Sequence, residues 1–306
     1  MIYNIYKEDI RKILSFLRST MLKKKTFLQY LFWTFDVYKK ENLLEENIKK
    51  FGQWNFILLK RHYYYLVKSV FTMFLSLLCF VWLIMMTYNQ YSQHLEMFFI
   101  LTSFYVVFTL QWVWVSIWYM IYAIKHSKVI YKEIDIYFET DNKIFLRFVN
   151  LTMISFVFQI IIWLFNVLLA IFYVWDLSFM TILNIIWQLI INIVFLTFFY
   201  NVFKRLVDFN MDFTTVSPLK IVAYSQEWIQ NFSAKDLATD TIKSVTVVQS
   251  WFFQSVFNIW RILIKWIWDE TSSKEYSISL NHIKNPEKVK EEIDFVRNKR
   301  EIFIDK

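Results

Sequence analysis

Four apolar runs constrain this chain more than any other feature. They cover about residues 65–88, 97–124, 148–175 and 177–203. Each exceeds the ~20 residues that carry an α-helix across the hydrocarbon core of a bilayer. That core holds no water to satisfy backbone N–H and C=O groups, so each run is predicted to pair them internally, as a helix. The third and fourth runs are separated only by VWDLS around Asp176, which predicts an antiparallel hairpin. The first 60 residues are charged throughout, and no cleavable signal peptide is expected there. The composition agrees: 57% of residues are apolar, and the mean hydropathy is +0.35.

Lysine and arginine set the orientation. Residues 1–61 hold 13, the 125–147 loop holds 5, and 204–306 holds 15, whereas the loops at 89–96 and 175–177 hold none. Lys68 lies just inside the first run, where it can snorkel to the interface. Both termini and the middle loop are therefore expected on the cytoplasmic side of a cell membrane. Lys60, Arg61, Lys204 and Arg205 flank the first and last runs and read as membrane-interface anchors. The net charge of +8 is mostly this topology signal and is not read as nucleic-acid binding.

The apolar runs contain no Asp, Glu or Arg, which weakens any reading as a proton pump. They do carry polar stripes. Asn184, Gln188 and Asn192 recur every four residues on one face of the fourth helix. Thr152, Ser155, Gln159 and Asn166 share a face of the third. Interhelical hydrogen bonds that hold the hairpin together are the favoured reading, at about 0.6 kcal/mol each. A lined path for a solute is the alternative.

Residues 1–62 are read as a cytoplasmic helical segment, with Ile10, Ile13, Leu14 and Leu17 at helical spacing. Lys23, Lys24 and Lys25 could meet anionic headgroups or simply face solvent. His62 reads as an interfacial residue. Residues 63–203 form the four-helix transmembrane region, and 204–306 a cytoplasmic domain.

In that last third, short β-like runs follow one another: FTTVSP, KIVAYSQ, SVTVVQS, RILIKWI and YSISLNH. Tyr276, Ile278 and Leu280 alternate with Ser277, Ser279 and Asn281, the period of a half-buried strand. NPEKVKEEIDFVRNKR then predicts a helix with Asn285 as N-cap, Pro286 at N1, and Val289, Ile293 and Val296 on its apolar face. Asp236 and Asp240 read as solvated.

The order of these pieces resembles the bacterial pleckstrin-homology-like domain of small bacterial membrane proteins. The matching pieces are Gln226 to Phe232 (a hairpin), Thr241 to Val248 (a strand), Trp251 to Trp260, and Asn285 to Ile293 (the closing NPE helix). KRHYYYLVK, ahead of the first run, also resembles the RRHW approach of such proteins. Family members commonly place the domain after two spans, whereas this chain has four. The resemblance implies a membrane α-helical region with a C-terminal PH-like β domain. It also implies a non-enzymatic binding module.

The chain holds one Gly against 14 Trp, where usual composition would give about 20 Gly. No P-loop or dinucleotide fingerprint can be written with Gly52 alone. Trp228, Trp251 and Trp260 stand where the family pattern has Gly, and a tight turn with positive φ is expected at the first. Some of these Trp are therefore read as UGA codons that the source organism translates as Gly; a genome in which UGA means Trp is the alternative. The coding DNA tests this: UGA is expected at codons 228, 251 and 260, and UGG there removes the idea.

One cysteine, Cys79, excludes a disulfide framework, and His94, His126 and His282 are scattered. No catalytic residue, cofactor or metal is expected. The partners expected are the lipid bilayer and a protein or a second copy of the chain. Two other functions remain open. One is an accessory subunit of a mitochondrial respiratory or ATP-synthase complex, which an AT-rich composition would suit. The other is a small transporter or channel using the Asn/Gln stripe.

Overall fold

The computed structural model describes residues 46–52, 55–90, 95–126, 128–131, 137–173, 179–226, 232–248, 258–267, 275–300 and 302. Ile10, Ile13, Leu14, Leu17, the lysines at 23–25, Trp228, Trp251 and the VWDLS turn lie outside them.

The four apolar runs are helices: α1 (Val67–Gln90), α2 (Leu95–His126), α3 (Tyr137–Tyr173) and α4 (Phe179–Met211). All four are long and apolar enough to cross a membrane. The chain is thus a multi-pass membrane protein. Helix α4 runs past the apolar stretch that ends at 203, carrying Lys204, Arg205 and Asp208 with it. The bundle is up-and-down. Thr72, Phe80 and Gln90 of α1 meet Arg205, Phe195 and Gln188 of α4, so one helix descends as the other rises. Phe148, Phe156 and Asn166 of α3 meet Phe203, Phe199 and Gln188 in the same antiparallel sense. Tyr119 and Phe108 of α2 stack on Phe148 and Phe158 of α3. Trp112 is fully buried and stacks on Phe199 at 4.4 Å. The outward faces carry exposed Phe71, Phe74, Trp82, Phe99 and Trp114, as helices surrounded by lipid require.

Antiparallel sheets and a closing helix make up the second part. Strands β1 (Ile57–Lys60), β2 (Ile130–Tyr131), β3 (Phe213–Val216), β4 (Lys220–Gln226) and β5 (Phe232–Ala238) form one sheet in the order β2-β1-β3-β4-β5. Strands β6 (Ile242–Val248), β7 (Ile259–Ile267) and β8 (Glu275–Lys284) form a second in sequence order. Helix α5 (Pro286–Arg297) lays Val289, Ile293 and Val296 onto a core shared by both sheets. That core includes Ile57, Leu59, Val216, Ile221, Ile262, Ile264 and Ile278.

The first sheet corrects the reading of residues 1–62. Residues 57–60 are a fully buried strand, not helix. The run ILLK is apolar and β-branched at its start, and its pairing partners lie about 70 and more than 150 positions away, so local pattern could not reveal it. The sheet also joins three parts of the chain. β1 precedes α1, β2 lies between α2 and α3, and β3 follows α4. Pairing of Leu58 with both Tyr131 and Thr215 places all three on the same side of any bilayer that the helices cross.

One local expectation is revised. Asn285 precedes α5 as predicted, but with left-handed backbone (φ 50°) and no capping bond from its side chain. Its carboxamide oxygen accepts from Asn258 Nδ2 instead, at 2.9 Å. Trp260 lies within β7, paired with Ile283 beside a bulge. Among described non-glycine residues, positive φ falls at Asn258, His282 and Asn285 and not at Trp260. Asparagine tolerates this region better than most residues. Gly52 (φ 77°) ends the helical residues 46–51, the usual left-handed helix stop.

Ile293 is fully buried between α5 and the sheets. Ile293→Ala is expected to cost about 2–5 kcal/mol, read as an earlier unfolding midpoint of the full chain in detergent.

Candidate functional site

A connected polar region lies at the junction between the helices and the sheets. Its chemistry starts where β1 ends. Lys60 donates its backbone N–H to the Val129 carbonyl at 2.9 Å, which ties the strand to the loop after α2. The Lys60 residue is only 5% exposed, so it is buried within the domain. Next, Arg61 pairs through one guanidinium nitrogen with the Asp212 carboxylate at 2.7 Å. Its guanidinium also lies 4.8 Å from the centre of the Tyr65 ring. Asp212 directly follows α4, so the pair couples the approach to the first span with the exit from the fourth. Tyr65 donates to Asp208 at 3.5 Å, and Lys204 pairs with the same carboxylate at 2.8 Å. Arg205 donates to Thr72 Oγ1 on α1 at 3.3 Å. Arg61, Lys204 and Arg205 are thus held by named partners in the fold. Lys204 and Asp208 stand at i, i+4 on α4, a spacing helical periodicity shows, whereas the partners of Arg61 and Arg205 come from distant parts of the chain.

Two histidines complete the junction. The His62 backbone N–H donates to the His282 carbonyl at 2.8 Å, joining the 3₁₀ turn Tyr63–Leu66 to β8. The His282 ring packs 5.5 Å from Tyr65 and 6.2 Å from Tyr64. Burial pushes both imidazoles down to about 4. Nearby Lys284 adds to this at His62, and Arg61 adds to it at His282. Both are therefore neutral at pH 7. The sequence set His282 aside as scattered, because its neighbours come from the other end of the chain.

Within the bundle, the Asn/Gln stripe makes interhelical hydrogen bonds. Gln159 donates to Thr109 Oγ1 of α2 at 2.7 Å. Asn166 donates to Gln188 at 3.2 Å, and Gln188 donates on to Gln90 of α1. One carboxamide thus links three helices. Asn192 is buried with its Oδ1 lacking a protein partner, and Asn184 is half-buried. Thr152 and Ser155 face inward; Ser155 bonds the Leu151 carbonyl. Gln90 and Thr109 were missed in the sequence, since a single polar residue in an apolar run has no period to reveal it. Asp236 is exposed on β5, and Asp240 pairs with Arg300 at the surface. Among the described residues, no group of three His, Cys, Asp or Glu could hold a metal ion.

No protein-family model, curated protein or solved structure matches this chain.

The neutral histidines give the junction a pH dependence. Unfolded, each would bind a proton near 6.5; folded, only near 4. Their contribution to stability is present in full above about pH 6.5 and is lost as the pH falls toward 4. The melting temperature of the full chain is expected to fall across that window. In His282→Asn, which keeps a residue tolerant of positive φ, the fall should be shallower.

Proposed function

We propose that the chain is a non-enzymatic membrane-anchored binding platform. Its β domain faces the cytoplasm, both termini lie on that side, and the membrane is a bacterial inner membrane. The partner is a protein or a second copy of the chain. The resemblance to bacterial pleckstrin-homology-like domains is part of this reading. Support comes from the order of strands and closing helix, and from the 33 Lys/Arg outside the four apolar runs, all in the segments before the first, between the second and third, and after the fourth.

One observation carries the proposal. The sheet recruits strands from before, between and after the membrane helices. A domain joined to a bundle at three places is a fixed platform, not a module on a tether. Two of its four sheet edges, β5 and β6, present backbone groups that an extended segment can join. Photo-crosslinking residues placed at exposed Asp236 on β5 and Thr246 on β6 are expected to capture a partner or a second copy. The same group at lipid-facing Phe71 serves as the control. Capture no stronger than this control at both edges would count against the platform.

The buried Asn192 Oδ1 without a partner gives the solute-path reading one specific support. Replacing Asn184, Gln188 and Asn192 together with Leu separates the two. The platform reading expects weakened helix assembly, at about 0.6 kcal/mol per lost bond. Loss of solute flux through an intact bundle would favour transport.

A further inference from the structure

The carboxamide chain that links three membrane helices leaves two buried groups unpaired. Asn166 of α3 donates to Gln188 of α4 at 3.2 Å, and Gln188 donates on to Gln90, the last residue of α1. The trio therefore stands at the end of α1 away from β1. Gln90 Nε2 is buried and has no protein partner, and the same holds for Asn192 Oδ1. Asn192 lies one turn from Gln188 on the same face of α4, and residues so spaced have Cβ atoms about 6 Å apart. An unpaired donor and an unpaired acceptor thus flank one bonded carboxamide. The wall is well shielded, with Asn192 2% and Gln188 5% exposed.

Holding helices together does not account for these two atoms, because neither bonds a neighbouring helix. A buried polar group without a bond is costly, and lipid offers it none. The chemistry that would complete both is narrow. The occupant accepts from an N–H and donates to a C=O. It is neutral, because Gln90, Asn166, Gln188 and Asn192 are all uncharged, and an ion would lose its water without a counter-charge. It is small, since the two groups stand about one helical turn apart. A primary carboxamide or a urea carries the matching pair: its C=O accepts while its NH2 donates. Gln90 is half-buried at the end of its helix, which leaves a way in from the side opposite the sheets.

We propose that Gln90 and Asn192 form a binding site for the amide or urea group of a small neutral solute, Gln90 Nε2 donating to its carbonyl and Asn192 Oδ1 accepting from its NH2. This deepens the solute-path reading of the same stripe by naming a solute class, and it asks only for binding. Full-length protein in neutral detergent is titrated with acetamide and, separately, with acetate, each followed by saturation-transfer NMR of its methyl group. Empty micelles serve as the blank. Saturable acetamide binding is expected at roughly millimolar affinity, as befits so small a ligand. Acetate has the same shape but a charge and no donor, and should bind at least about tenfold more weakly. Asn192→Leu should weaken acetamide by about the same factor. Because Asn192 Oδ1 bonds no helix, that variant should keep its melting temperature, which a purely structural role would lower. Gln90→Glu retains the oxygen that Gln188 uses and removes the Nε2 donor, and it decides the matter if Asn192→Leu does not fold. Absence of saturable acetamide binding, equal binding of acetate, or an unaltered affinity in the folded variant would overturn the proposal. Acetamide uptake into proteoliposomes then separates site from path. Binding with uptake no faster than in protein-free vesicles would support the site and count against the path.

Discussion

The pairing of β1 with β3 is the interaction on which the rest of the molecule depends. Four successive residues, Ile57 to Lys60, pair with Val216 to Phe213. They join the segment before the first span to the segment after the last. Closing so long a loop in a free chain would cost configurational entropy, though that cost grows only logarithmically with length. Here the antiparallel bundle bears much of it. Once α1 and α4 pack side by side, their ends on one side of the bilayer are neighbours, and the strands have little left to search. Without the pairing, β1 and β2 would be cut off from the rest of the sheet, and Leu59 and Ile57 would leave the common core.

The junction chemistry follows from that geometry. Bringing Arg61 beside Asp212 and Tyr65 beside Asp208 concentrates charge where the chain passes from an apolar to an aqueous setting. A partly buried ion pair gains less than its Coulomb energy suggests, because both groups lose water. Its clearest contribution is orientation: it fixes the domain relative to the helices. The two histidines fit the same picture. Burial, with the nearby cations, favours imidazole over imidazolium, so the contact between His62 and His282 is that of neutral groups.

The bundle interior handles polar groups by the same logic of mutual satisfaction. Gln188 accepts from α3 and donates to α1, and Gln159 reaches α2. In hydrocarbon an unpaired carboxamide is costly, so such bonds specify which helices become neighbours. Around them the packing is aromatic. Trp112, Phe195 and Phe199 fill the space between α2 and α4, where this large side chain is fully buried.

The sequence by itself determined the four helices, the side on which lysine and arginine collect, the strands around residues 213–280 and the apolar face of α5. These depend on run length and on periods of 3.6 or 2, which are local properties. Polar positions on helix faces were legible for the same reason, although their partners were not. Only the tertiary structure decided that residues 57–60 are a strand, because ILLK becomes one by pairing with residues more than 150 positions away. It also decided the partners of Arg61, Arg205 and Gln188, and the burial of Lys60. It placed left-handed backbone at Asn258, His282 and Asn285. The physical reason is the same in each case. Local sequence sets which faces are apolar and which backbone shapes are cheap, whereas a cross-chain contact exists only once the bundle has brought distant segments together.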